Sequence, residues 1–203
     1  MNKLFKDALI LAAITIVAGC LLGLVNEITK GPIEQANIAT TNAAYRAVFE
    51  DATDFVQLDG FDAIKATDVV NNAGYSDDDI DQCVLANDSN GNTLGYVITT
   101  TTHAGYGGAI TLSVGITNDG VVNGYSITDI AESPGLGMNA KEEKFFGQFE
   151  GLVDFPLSVV KTTAANDTEI EAISGATITS KAVTNAVNAA YTYYQSIGGG
   201  SNE

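Results

Sequence analysis

The chain contains no tryptophan, one histidine, two cysteines and three prolines. Nine residues are basic against 25 acidic, a formal net charge of −16 with a pI near 4.1. Each shortage excludes a class of function. A surface this acidic repels phosphodiester backbones, which removes nucleic acid as a partner, and it disfavours lying flat on anionic lipid. Cys20 and Cys83 form neither a CxxC pair nor any other metal spacing. Cys20 falls in an apolar run and Cys83 in the remainder, so no disulfide framework is expected, and Cys83 reads as a small buried residue. A Ser-His-Asp triad would have to use His103, which reads instead as a surface or packing residue. A zinc site lacks soft ligands. Neither GxGxxG nor a Walker loop occurs.

What is present begins with an uncharged run. Ala8 to Val25 carries 18 residues without a charge, about 27 Å at helical rise and close to the core thickness of a bilayer. Lys3 and Lys6 precede it, and Glu27, Lys30 and Glu34 follow. The lysines at the start place the N-terminus in the cytoplasm and the bulk of the chain outside. A rival reading takes Val17-Ala18-Gly19-Cys20 as a lipobox, with a signal peptide removed and Cys20 lipidated. Leu21 to Val25 stays apolar past the cysteine, where a mature lipoprotein usually turns polar, and this favours a retained helix.

After a break at Gly31-Pro32, Pro32 suits the first turn of a second helix over Ile33 to Phe49. Asp51 to Asp81 is acidic and mixed, with short strand or helix pieces at best. Asp77-Asp78-Asp79 with Asp81 lacks the glycine and distal glutamate of a calcium loop and reads as a solvated loop or helix start. From Gln82 the pattern becomes β. Cys83–Ala86 and Leu94–Thr102 flank the turn cluster Asp88-Ser89-Asn90-Gly91, and Ala109–Thr117 and Val121–Thr128 flank Asn118-Asp119-Gly120. Three or four antiparallel strands are expected. A short helix over Ala140–Phe149, a strand over Leu157–Val160 and a helix over Thr179–Ile197 follow. The last helix shows Val183, Ala186, Val187, Ala190, Tyr191 and Tyr194 on one face and ends before Gly198-Gly199-Gly200. The fold class is α+β, divided as an anchor over 1–30, a helical or mixed connecting region over 31–81 and a domain over 82–203.

Two segments carry the chemistry. In Ser174-Gly175-Ala176-Thr177 small residues keep the approach to a helix start open, and the free N–H groups there can hold a phosphate. Lys181, one turn in, adds a positive charge. The plain alternative is an ordinary helix N-cap with Ser174 as the capping residue. In Glu132-Ser133-Pro134-Gly135-Leu136-Gly137 the proline holds the backbone and two glycines permit close approach of a planar ligand; the plain alternative is a tight loop after a strand. Gly105-Tyr106-Gly107-Gly108 lies between strands, does not open a helix, and is a poor phosphate loop.

The order of an apolar helix, GYGG-type strands, Glu132–Gly137 and Ser174–Thr177 opening the last helix resembles the FMN-binding domain family. That family is found in the G subunit of the Rnf complex and the C subunit of the sodium-translocating NADH:quinone reductase. The resemblance covers the anchor and most of Thr99 to Ile197. It implies FMN esterified through its phosphate to a threonine in a pattern close to Asp-x-x-Ser/Thr-Gly-Ala-Thr/Ser, installed from FAD by a flavin transferase. The matching acceptor is Thr177, preceded by Ser174, Gly175 and Ala176, and Glu171 stands where aspartate is usual. The family's Glu-Thr-Pro-Gly-Leu-Gly loop matches Glu132, Ser133, Pro134, Gly135, Leu136 and Gly137, with Ser133 for threonine. The short chain is more similar to the Rnf G subunit. The resemblance then implies a membrane-anchored electron-transfer subunit of an ion-translocating ferredoxin:NAD⁺ oxidoreductase, partnered by other Rnf subunits that hold the ferredoxin and NAD sites. A free-standing FMN-binding lipoprotein or assembly module and the quinone-reductase C subunit are the alternatives.

Overall fold

The computed structural model describes residues 3–198. Helix α1 spans Lys3–Val48, and the residues up to Thr41 form one unit while those from Asn42 on form another. In the first unit the side chains of Leu9, Leu21, Leu22 and Leu24 are all exposed, and the helix is long and apolar enough to cross a membrane. The expected break at Gly31-Pro32 does not occur, because α1 continues through Pro32. Proline removes one N–H donor and crowds the carbonyl four residues earlier, yet its φ is helical. Thr29 Oγ1 also donates to Val25 O at 2.8 Å just before this point.

The second unit is built on one sheet, with strands β1 (Asp54–Gln57), β2 (Asp78–Asn87), β3 (Thr93–Thr102), β4 (Ile110–Thr117) and β5 (Val122–Ile130). They lie in sequence order and every neighbour is antiparallel. The β2–β3 turn is set by Asp88, whose Oδ1 accepts from Asn90 N at 2.8 Å and Asn92 N at 2.9 Å. The β4–β5 turn closes with Gly120 at φ 82°, a left-handed value that favours glycine. Five strands exceed the expected three or four. The extra pair member, β1, and helix α2 (Ala63–Asn72) both come from the acidic segment Asp51–Asp81. Asp62 caps α2 by accepting from Ile64 N and Lys65 N.

Asp78, Asp79 and Asp81 sit on β2 rather than in a loop or helix start. Register explains this: Asp78 pairs with Thr102 and Ile80 with Thr100, so the tract is drawn into the sheet by β3. The expected helix over Ala140–Phe149 is broken into a 3-10 turn Gly137–Lys141, helix α3 (Glu143–Phe146) and a second 3-10 turn Gly147–Phe149. Glu142 interrupts it with extended backbone at ψ 140°. Strand β6 (Ser158–Val160) pairs in parallel with β7 (Glu169–Glu171), a partner the sequence pattern did not reveal.

Helix α4 (Thr177–Ser196) covers one face of the sheet. Its alanines at 182, 186, 189 and 190 are buried and let the helix axis approach the strands. Tyr194 reaches the β4–β5 turn, its hydroxyl donating to Thr117 O at 3.1 Å or Asn118 O at 3.0 Å. Asn188, 3 % exposed, accepts from Leu157 N at 2.8 Å and donates to Leu157 O at 2.9 Å, which ties the β6 segment to α4. The opposite face of the sheet receives the end of α1. Tyr45, Val48 and Phe49 pack there with Val84, Ala86 and Val97, and Asn123 Nδ2 donates to Val48 O at 3.0 Å. Gly199 and Gly200, past the end of α4, lie outside the described residues. Cys83 is buried, as expected, and burial pushes its thiol up to about 12. His103 is on the surface, 2.8 Å from Asp79 Oδ2.

Asp78 is 2 % exposed, and its Oδ1 has no hydrogen-bond partner among the described residues. Burial raises its carboxyl from 3.8 to about 6, against the lowering effect of the Thr102 hydroxyl. The folded chain therefore holds this proton more tightly than the unfolded chain. Stability from the group is full below 3.8 and is lost as pH rises through about 6. Asp78→Asn removes that loss. Between pH 4 and 7 the variant should gain on the wild type by up to about 3 kcal/mol, at 1.36 kcal/mol per pKa unit. Urea unfolding at a series of pH values measures it, and a pH-independent difference between the two chains would refute the assignment.

Candidate functional site

The two sequence segments fold alike. Ser133-Pro134-Gly135-Leu136 closes as a β-turn with Leu136 N donating to Ser133 O at 3.2 Å, and Ile173-Ser174-Gly175-Ala176 closes with Ala176 N donating to Ile173 O at 3.0 Å. The third residue of each is a glycine with positive φ, Gly135 at 73° and Gly175 at 76°, as a type II turn requires. The turns meet: a Cβ on Gly175 would stand 3.0 Å from Leu136 Cδ2. Beside this contact lies a cavity of about 410 Å³ lined by Tyr106, Glu132, Ser133, Leu136, Gly137 and the run Gly175–Thr179.

Seven of the ten expected residues line it: Glu132, Ser133, Leu136, Gly137, Gly175, Ala176 and Thr177. Gly135 and Ser174 instead line a neighbouring cavity of about 830 Å³, together with Glu171. Lys181 is exposed and lines neither. Ser174 is not the helix cap. That position belongs to Ala176, and no side chain among the described residues caps the first turn of α4. The first N–H groups of an α-helix have no partner within it, so the end of α4 facing the cavity is suited to an anion.

The hydroxyls at the start of α4 differ sharply. Ser180 is fully buried, donating to Ala176 O at 2.9 Å and accepting from Ile173 N at 2.9 Å, which holds the turn to the helix. Thr179 is 1 % exposed and packed behind Gly137. Thr177 is half-buried at the cavity wall, open to a ligand. Tyr106, Leu136 and Ile178 form an apolar rim, with exposures of 73 %, 44 % and 53 %. Tyr106 and Ile178 escape sequence reasoning. The Gly105–Gly108 segment reads from sequence only as a poor phosphate loop, and its aromatic residue is what reaches the cavity.

Behind the rim, Glu132 is 7 % exposed and its Oε1 accepts from Tyr106 N at 2.7 Å and Gly107 N at 3.2 Å. The Gly137–Lys141 turn is held in place by Tyr125, whose hydroxyl donates to Ala140 O at 2.7 Å; burial raises that phenol above its ordinary value.

Residues 105–192 match the family model of the FMN-binding domain. The chain is 38 % identical over 197 residues to the G subunit of the Na⁺-translocating ferredoxin:NAD⁺ oxidoreductase complex of Acetobacterium woodii, covering 95 % of this chain and 92 % of that one. It belongs to the family of G subunits of ion-translocating oxidoreductase complexes. Another member, the G subunit of the proton-translocating ferredoxin:NAD⁺ oxidoreductase complex of Clostridium ljungdahlii, is 33 % identical over 98 % of this chain and 96 % of its own. The solved structure of NqrC from Shewanella oneidensis shares the fold, with a TM-score of 0.51 at 17 % identity over 76 % of this chain and 88 % of that chain. In this G-subunit family member the matched region begins at Gly105, so it takes in the loop that carries Tyr106 as well as both turns.

The two glycines of the Glu132–Gly137 segment should respond differently to a methyl group. A Cβ on Gly137 would stand 2.6 Å from Glu132 Oε2 and 2.7 Å from Thr179 Oγ1, whereas one on Gly135 meets nothing within 4 Å. Gly137→Ala should cost about 1–3 kcal/mol through overpacking, and Gly135→Ala about 1 kcal/mol through its left-handed backbone alone. Denaturant midpoints of the two variants check the order, and equal or reversed costs would contradict the packing described.

Proposed function

We propose that the chain is the electron-transfer G subunit of a membrane ion-translocating ferredoxin:NAD⁺ oxidoreductase, carrying FMN bound covalently through a phosphoester to Thr177. The observation that carries this reading is the combination of an accessible Thr177 hydroxyl with an uncapped helix start at one cavity. The donor set fits the group. A dianionic phosphate matches the N–H groups of the first turn of α4, and Lys181, one helical turn after Thr177, adds charge from the solvent side. The apolar rim of Tyr106, Leu136 and Ile178 matches a planar ring system. Gly175, Ala176, Gly135 and Gly137 keep the approach clear, while Glu132, Ser133 and Leu136 shape the wall.

FMN would supply single-electron transfer. The protein's own residues tether, orient and partly enclose it. A flavin transferase acting with FAD as donor would load the site: Thr177 Oγ1 forms the new P–O bond, the P–O–P bridge of FAD breaks, AMP leaves and the hydroxyl proton is released. The chain is a redox subunit rather than a complete enzyme, and the ferredoxin and NAD sites lie on partner Rnf subunits. Functionally it divides into an anchor over 1–30, a connecting region over 31–81 and an FMN-binding domain over 82–203. A single crossing leaves that domain outside the cytoplasm, where a covalent tether prevents loss of the cofactor.

Attachment is tested by co-expressing the chain with a flavin transferase. Thr177→Ala should abolish in-gel flavin fluorescence and the added FMN mass with the fold retained. Thr177→Ser should keep part of the labelling, and Thr179→Ala all of it. Covalent FMN persisting on Thr177→Ala would overturn the acceptor assignment.

Topology follows from the lysines before the apolar run. In a Cys20→Ser background, Asn90→Cys puts a thiol on the exposed β2–β3 turn. A membrane-impermeant thiol reagent should label it in intact cells. Labelling seen only after lysis would place the domain in the cytoplasm instead.

A further inference from the structure

Among the described residues, Glu132 is the only acidic one lining the cavity. Burying a carboxylate is costly unless it is paired or hydrogen-bonded. The ion pairs found among the described residues, Lys65–Asp62 and His103–Asp79, do not involve it. Its Oε1 takes two backbone N–H groups, from Tyr106 and Gly107. Its Oε2 lies against Gly137, on the side facing Thr179. Gly137 makes room for it: a Cβ there would stand 2.6 Å from Oε2 and 2.7 Å from Glu132 Cβ. A glutamine carbonyl would accept the same two N–H groups without a charge, so holding the loop does not by itself require a carboxylate.

We infer that Glu132 is a positioning residue that also acts electrostatically. It clamps the Gly105–Gly108 loop so that Tyr106 walls the cavity, and its negative charge there opposes electron uptake by the bound flavin. The inference rests on the FMN reading above. An added electron brings negative charge next to a carboxylate in a wall of low dielectric, where like charges repel more strongly than in water. The flavin potential is thereby held low. Salt screens the many surface carboxylates but screens a buried charge much less, and this separates Glu132 from the overall acidity of the chain.

The test uses the full chain loaded with FMN, as wild type, E132Q, E132A and E50Q, the last an exposed glutamate lining neither cavity. Each is titrated potentiometrically at low and high salt, with dithionite as the one-electron donor, itself oxidised to sulfite. Amide exchange at Tyr106 and Gly107 is followed in parallel on flavin-free Thr177→Ala chains. E132Q should keep the loop protected and move the midpoint potential positive at both salt concentrations. E132A should move the potential the same way and speed exchange at the two amides at least tenfold, the loss of a hydrogen bond to a charged acceptor. E50Q should leave the high-salt potential unchanged. An E132Q potential equal to wild type overturns the electrostatic role, and unchanged exchange in E132A overturns the clamp. If E132A does not fold, E132Q alone decides the electrostatic role. A wild-type chain without FMN is seen by intact mass before any titration; it overturns the attachment reading and the electrostatic role with it, while the exchange measurement still decides the clamp.

Discussion

The packing of α4 on the five-stranded sheet determines where the first turn of that helix ends, and the cavity is built around that end. Thirteen α4 side chains are buried, from Thr179 to Tyr194. Removing each large apolar one from water is worth roughly 1.5–3 kcal/mol, far more than a single cap or turn hydrogen bond. The helix is also anchored at its far end by Tyr194 on the β4–β5 turn and in its middle by Asn188 on Leu157. With both points held, the N-terminal turn has little freedom. Thr177, Ile178 and Thr179 arrive at the cavity wall as consequences of packing elsewhere.

Against that end the rest of the site is assembled by short-range geometry. Two glycine-containing turns from distant parts of the chain touch through Leu136 and Gly175. A carboxylate beside one of them reaches back to the loop after β3. Ser180 gives up its hydroxyl to secure the second turn. This division of labour separates three neighbouring hydroxyls by environment: one structural, one packed, one open. On the proposed reading that separation directs attachment to a single oxygen without any need for sequence selectivity among Thr177, Thr179 and Ser180.

The rim explains why a tether would be useful. Tyr106, Leu136 and Ile178 are all more than a third exposed, so a planar group resting on them stays partly in water and gains only part of the burial a closed pocket gives. On the proposed reading a covalent bond would remove dissociation from consideration and leave the ring edge open, as suits an electron carrier that must come close to its partners.

Much of this was legible in the sequence. The turn clusters Asp88-Ser89-Asn90-Gly91 and Asn118-Asp119-Gly120 identified β3, β4 and β5, and the spacing of Val183, Ala186, Val187 and Tyr194 identified α4, because period and turn chemistry are local properties. The two turns at Glu132–Gly137 and Ser174–Thr177 were legible for the same reason, as glycine and proline mark positions that need unusual backbone; that they meet at one cavity was not. Other features depended on partners far along the chain. Asp78 and Asp79 read as solvated until β3 drew them into the sheet, and β7 exists only beside β6. Tyr106 looked like part of a failed phosphate loop because its role depends on Glu132, 26 residues away. The sequence by itself determined the apolar helix, the hairpin strands β2 to β5 and the presence of a hydroxyl at Thr177. Which hydroxyl is open, which carboxylate is buried and which aromatic lines the cavity were decided only by tertiary structure, since exposure is set by what packs on a residue and not by the residue itself.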